Sequence, residues 1–327
     1  MKPTSTAQYD AMMAGTVPEP EIIREGVSVV ALPLPGGLVA NTLTYLIEDS
    51  AGAVHVVDPG WDSDENWASL VAALALTGRS VDDVASMLVS HLHPDHLGMA
   101  ERLRNASGAT VVMHRLEDAA LQRQLDNPTE YGDPELMVEW GVPEDFRDRL
   151  SEFKQIARVV PGARADLLVD DDEVLPIVGR EVRTVFTPGH TVGHLSFRDV
   201  GEKLLYTGDH VLPMVKPGLG LGGFSESSPI GDYLASLDRV AVFDDDEVLP
   251  GHEYRFTGIA ERAKQLGDHH RKRSTEIAAL LAAGSPPVVW ELASRISWTA
   301  GWGNLEGLYL QSALAQTAMH LRYLETA

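Results

Sequence analysis

The chain contains no cysteine. Disulfides and thiolate metal sites are therefore excluded, and any metal must rest on imidazole, carboxylate, carbonyl or water. Positive charge is also scarce: 26 Lys and Arg stand against 48 Asp and Glu, a formal net charge of −22. That balance gives no long-range attraction to nucleic acid or to an anionic membrane. Long apolar runs are missing too. The segment "VVALPLPGGLVA" falls short of the roughly 20 residues of a membrane helix and is broken by Pro33 and Pro35. The opening "MKPTSTAQYDAMMAG" lacks the apolar stretch of a signal peptide. A cytoplasmic protein with no membrane partner is expected.

What remains is ordinary globular composition, 44% hydrophobic and 23% charged over 327 residues. That is enough for one large domain, or a large domain and a small one. Residues 1–26 are polar and hold three prolines, which predicts an arm lying on the surface. Strand patterns follow at "VSVVALPL", "NTLTYLIED" and "AVHVVDPG", the last two joined by a short hairpin loop at Ser50–Gly52. Strand and helix then alternate. From about 115 to 164 the strand pattern stops and helical spacing takes over, so a helical insertion is predicted there. After Tyr254 the chain reads as helical to its end, which predicts a catalytic domain over 27–258 and a helical tail over 259–327.

The chemistry concentrates at strand ends. A buried strand, "VASMLVS", runs straight into "HLHPDHLG". His91 and His93 are two residues apart in extended chain, so both rings point to one side. Pro94 then bends the path, so that Asp95 and His96 face a second point. Imidazole and carboxylate together suit zinc, manganese or iron. Three further strand patterns end in the same residue types, each preceded by glycine: His190 in "TPGHTVGH", Asp209 in "YTGDHV" and His252 in "LPGHEY". Asp58 in "VVDPG" ends another strand and is read as orienting a ligand from behind. Other histidines receive structural readings. His55 and His114 are side chains of strands, His194 is structural near the site, and His210 points away from Asp209. His269, His270 and His320 face solvent.

In this order the motifs "VVDPG", "SHLHPDHLG", "TPGHTVGH", "TGDHV" and "PGHE" resemble the metallo-β-lactamase superfamily over about Val27 to Tyr254. The resemblance implies an α+β four-layer αββα sandwich with a dinuclear metal site at one edge. It implies that His91, His93 and His190 hold one ion, that Asp95, His96 and His252 hold the other, and that Asp209 bridges them. Two divalent ions are expected, zinc first, with manganese or iron also suited. Two such ions about 3.5–4 Å apart share a hydroxide and so supply a nucleophile at neutral pH. Asp95 then has a catalytic role, orienting that nucleophile or passing a proton on.

An aspartate at position 209 sides with the thioesterase, lactonase, phosphodiesterase and nuclease branches. The expected reaction is therefore hydrolysis of a small ester, thioester or lactone, and β-lactam hydrolysis is not the expected native role. The helical tail resembles the winged-helix-like tail of the β-lactamase-like-protein-2 branch, some members of which cut single-stranded RNA. RNA is thus the alternative substrate, with the basic run His269 to Arg273 as its contact. A homodimer through the tail helices also fits. Leu136, Met137, Trp140, Phe146 and Phe153 of the insertion are expected to wall an acyl pocket over the metals. The glycine-rich stretch Val215–Pro229 is expected to be a mobile loop at the site mouth.

Overall fold

The computed structural model describes the chain except residues 37–38, 127–133, 153–162, 223–226 and 327. Strand β3 (Val27–Pro33) shows how its sequence builds the layers. Val27, Val29 and Ala31 point to one side and Val30 and Leu32 to the other, and all five are buried. A strand covered on both faces reads as an almost unbroken apolar run.

The first sheet has seven strands, in spatial order β2 (Glu21–Arg24), β3 (Val27–Pro33), β4 (Asn41–Glu48), β5 (Val54–Val57), β6 (Val84–Leu88), β7 (Thr110–His114) and β8 (Leu167–Val169). The second has six, in the order β1 (Lys2–Pro3), β13 (Phe256–Thr257), β12 (Glu247–Pro250), β11 (Leu204–Gly208), β10 (Leu195–Asp199) and β9 (Val182–Phe186). The helices are α1 (Thr6–Ala14), α2 (Asp64–Leu76), α3 (Pro94–Leu97), α4 (Ala100–Ser107), α5 (Arg115–Asp126), α6 (Pro134–Glu139), α7 (Glu144–Glu152), α8 (Pro229–Val240), α9 (Ile259–Ala282), α10 (Val289–Arg295) and α11 (Gly307–Thr326).

Three apolar cores glue the layers. Val29, Tyr45 and Leu88 of the first sheet meet Phe197, Tyr206 and Leu249 of the second. On the outer face of the first sheet, Leu32, Val56 and Met87 pack on Leu70 and Leu74 of α2 and Leu103 of α4. On the outer face of the second, Leu205, Val248 and Phe256 pack on Tyr233 and Leu237 of α8 and Leu266 of α9. This is the four-layer αββα sandwich that the resemblance implied.

Strand direction places the site. β5 and β6 run parallel, and so do β11 and β12. β9 runs antiparallel to β10, which is antiparallel to β11, so β9 shares the direction of β11. The loops that follow β5, β6, β9, β11 and β12 therefore leave at one edge of the sandwich. They carry Asp58, the His91–His96 cluster, His190, Asp209 and His252.

Three expectations need correcting. The N-terminal 26 residues do not merely lie on the surface as an arm: β1 pairs with β13 and β2 pairs with β3, so this segment joins both sheets. The apolar side chains of the insertion do not wall an open pocket. Met137, Trp140, Phe146 and Leu150 form one core with Val289, Trp290, Leu310 and Leu314 of the tail, and Leu136 is 37% exposed. Phe153 lies outside the described residues. Finally, His270 and His320 are buried in the tail, at 2% and 0% exposure, with their rings stacked. Among the described residues the regular elements of the tail are all helices, with no β-wing.

Candidate metal centre

The loop after β6 turns at Pro94, which starts the short helix α3. That turn separates His91 and His93 from Asp95 and His96. His91, His93 and His190 bring one ring nitrogen each into a single group; Asp95, His96 and His252 form a second. Asp209 stands between. Its Oδ2 is 3.7 Å from His190 Nε2, while its Oδ1 lies 3.3 Å from His96 Nε2 and 3.2 Å from His252 Nε2. The structure thus brings together all seven residues singled out from the sequence. All are buried except His93 and Asp95, which are half-buried.

Each ring is held from behind, and that decides which nitrogen faces inward. His190 Nδ1 donates to Gly218 O at 2.6 Å, and His252 Nδ1 to Asn41 O at 2.8 Å. His96 Nδ1 donates to Asp58 Oδ2 at 2.9 Å. His91 Nδ1 donates to Ser90 Oγ at 2.9 Å, and that hydroxyl donates in turn to Asp58. His93 Nε2 donates to Leu221 O at 3.3 Å. In its neutral form every ring directs the lone pair of its opposite nitrogen into the cluster. These lone pairs face one another: His91 Nε2 and His93 Nδ1 are 2.9 Å apart, and His96 Nε2 and His252 Nε2 are 3.3 Å apart. Facing lone pairs at such distances repel unless a positive charge lies between them.

Where no ion lies between them, protons supply that positive charge at the second group. Burial, together with the neighbouring imidazoles, drives His91 well below its ordinary value and His190 down to about 4. Burial also opposes charge on His96 and His252. Asp209 beside them nevertheless holds His96 well above its ordinary value and His252 at about 10. Burial likewise works against ionisation of Asp95 and Asp209, yet the adjacent imidazoles keep both below the ordinary carboxylate range. Five convergent imidazoles and two ionised carboxylates, without a thiolate, form the donor set of a divalent cation site. The residues fit such an ion.

Several supporting residues have no signature in the sequence. Ser90 donates through both its N–H and its hydroxyl to Asp58, at 2.7 Å each. Asp58 holds a φ of +52°, a left-handed conformation rare for a residue with a side chain, and these bonds with His96 fix it there. Glu117 is fully buried in the first turn of α5. It accepts the N–H of Leu92 at 2.8 Å and that of Gly193 at 2.7 Å, so one carboxyl group spans the loop carrying His91 and the loop carrying His190. Burial pushes its pKa up to about 7. Gly193 packs against the Glu117 backbone with no room for a Cβ. Gly251 supplies space: a Cβ there would lie 2.7 Å from His96 Cε1 and 2.9 Å from Asp209 Oδ1.

The remaining histidines fall around this frame. His194 accepts the Asp209 N–H at 3.2 Å and bonds Thr187, so it seats the aspartate without entering either group. His210 is buried against Tyr233, His114 stacks on Phe186, and His55 bonds Ser86. The loop after Asp209, expected to be a mobile mouth, is part of the frame. Its Gly218 and Leu221 carbonyls brace His190 and His93, and Gly220 and Leu221 donate to Gly189 and His190. Residues 223–226 lie outside the described residues.

The model of the metallo-β-lactamase superfamily matches residues 38–252. The chain belongs to this superfamily. Among solved structures, a metallo-β-lactamase family protein of Thermus thermophilus is 29% identical, with a TM-score of 0.75, covering 93% of this chain and 95% of that one. Among curated superfamily relatives, an atrochrysone carboxyl ACP thioesterase of Aspergillus fumigatus is 24% identical over 268 residues, 81% of this chain and 68% of its own. A hydroxyacylglutathione hydrolase of Rhodopseudomonas palustris is 26% identical over 247 residues, 75% of this chain and 76% of its own. Among the described residues no helix is long and apolar enough to cross a membrane.

Proposed function

We propose that this superfamily member is a dinuclear metal-dependent hydrolase of acyl thioesters. The observation that carries the metal part is the set of five rings locked from behind with their lone pairs inward, divided by an aspartate whose two oxygens face different groups. His91, His93 and His190 would hold one ion, Asp95, His96 and His252 the other, and Asp209 both. When bound, two such ions polarise the substrate carbonyl and make water nucleophilic at neutral pH. The protein's own work is positional. Asp58 orients His96 directly and His91 through Ser90, and Gly218, Leu221 and Asn41 orient the other three rings. Asp95 has a side chain 25% exposed, more open than Asp209 at 12%. Being ionised and facing the opening, it is the group suited to take a proton from water and deliver it to the departing thiolate.

The thioester is favoured by the activities named for the Aspergillus and Rhodopseudomonas relatives, and zinc by the imidazole-rich donor set. The test is metal analysis of purified protein followed by turnover of thioester, lactone, phosphodiester and RNA substrates. Two equivalents of divalent metal and a preference for thioesters are expected. Asp209→Asn should retain about one equivalent and lose at least ~100-fold in turnover, since one oxygen of the spanning carboxylate is replaced by an amide nitrogen that cannot ligate. Two equivalents and full activity in that variant would sink the dinuclear reading.

A further inference from the structure

A second cleft lies in the tail, between α9 and the turn after α10. It encloses about 200 Å³ and is lined by His269, Lys272, Arg273, Glu276, Ser297 and Trp298. In a chain of net charge −22 it gathers cations. Arg273 is only 7% exposed, and its guanidinium bonds two neutral acceptors, Gln316 Oε1 at 3.1 Å and Ser297 O at 3.3 Å, while lying 4.0 Å over the Trp298 ring. The one carboxylate of the lining, Glu276, is engaged by the Ser297 N–H at 3.1 Å and stands 4.0 Å from Lys272 Nζ. Burial lowers the pKa of Arg273 despite the charge of Glu276 beside it, so its charge is incompletely compensated, and an entering anion offsets that cost.

Lys216 adds to the field from outside the tail. Burial lowers His269, and the charges of Arg273, Lys216 and Lys272 lower it further against the opposing charge of Glu276, so the positive field outweighs the negative one at this ring. The loop that carries Lys216 connects this place to the metal centre. It begins at Asp209, its Met214 and Val215 amides donate to Glu253 next to His252, and Arg262 of α9 holds its Leu212, Met214 and Val215 carbonyls. Seven residues from Asp209 to Lys216 span at most roughly 25 Å. Met214 and Val215, 55% and 40% exposed, offer apolar surface along that path.

We propose that this cleft binds the phosphate of a 4′-phosphopantetheine arm, so that the thioester at the far end of the arm reaches the metal centre. Arg273, Lys272 and Lys216 are the recognising cations, and a phosphate matches a guanidinium flanked by ammonium groups. A single phosphate needs only this local patch, whereas a nucleic-acid strand would run onward over an acidic body. The proposal rests on the thioester-hydrolase reading.

The test uses the full-length, metal-loaded protein and S-methyl-4′-phosphopantetheine, whose blocked sulfur cannot bind metal, with S-methylpantetheine as the phosphate-free control. Calorimetry should show the phosphorylated probe binding about tenfold tighter or more, and Lys216→Glu and Lys272→Glu, both at exposed positions, should each remove about tenfold. In turnover, acyl-CoA or an acylated carrier protein should show a lower KM than acyl-pantetheine. Whichever is lower identifies the source of the arm, and the difference should vanish in the double variant. Equal binding with and without phosphate, or indifference to both charge reversals, overturns the proposal. So does tight binding of a single-stranded RNA oligomer that is lost on the same reversals while the probe does not bind. Probe binding that obeys the reversals in a protein inert to every thioester overturns the hydrolase reading and leaves the phosphate site standing.

Discussion

Glu117 shows how much of the metal centre is built by residues that never face it. Its two oxygens accept amides from two loops separated by about a hundred residues of chain, so it fixes the distance between His91 and His190. Glu117→Gln replaces one acceptor with an NH₂ that must point at an N–H. The expected result is a loss of about 10–100-fold in metal affinity, as for other groups that orient ligands, read by chelator competition. The metal-free proteins should melt within a few degrees of each other, and unchanged affinity would refute the role. From the sequence, Glu117 looks like any acid in the first turn of a helix. The ligand histidines were legible because they cluster and end strands. Ser90, the Gly218 and Leu221 carbonyls and Glu117 were not, because a backbone carbonyl has no letter of its own and a long-range acceptor leaves no spacing.

Among elements, the tail departs furthest from expectation. The helical period of α9 and α11 was readable, and both helices form as predicted. Periodicity says that a face is buried, not what covers it. His270 and His320, expected at the surface, sit stacked between α9 and α11, and the insertion turns its apolar side chains to the tail. Burial lowers both histidines to about 3. Their folded pKa lies below the unfolded value of 6.5, so between pH 6.5 and 3 the unfolded chain binds more protons. Stability is therefore full above about pH 6.5 and falls on acidification by ~1.4 kcal/mol per pH unit for each histidine. The fluorescence of Trp290, Trp298 and Trp302 should report an acid transition starting below that pH. His270→Leu should shift its midpoint downward; an unmoved midpoint would show that the stacked pair does not govern the tail.

At the scale of the whole molecule, the sandwich and the edge that holds the metal centre were readable from strand patterns and their terminal histidines. The closure of the second sheet was not. β1 is two residues long, too short for any periodicity, yet it pairs Lys2 with Thr257. The cores between and outside the sheets do not involve the metal ligands, so the chain should stay folded without metal but less stably. With a divalent ion at about a thousand times its Kd, binding adds ~4 kcal/mol, or roughly 6 °C in Tm for a protein of this size. Calorimetry before and after chelation should show that drop and its reversal on adding metal back. A Tm indifferent to chelation would mean that the facing lone pairs are not relieved by an ion.

The bond from Gln311 Nε2 to Leu150 O joins residues 161 apart in the chain, and the shared core of α6, α7, α10 and α11 lies around it. That separation becomes a delay during synthesis. At roughly 5–20 residues per second, the ribosome needs on the order of ten seconds or more after making Leu150 before its partner exists. For that interval the insertion carries uncovered tryptophan and phenylalanine, while most of the first sheet can already pair. The newborn chain is thus most exposed to aggregation in its middle, and a premature stop before α11 would make that exposure permanent.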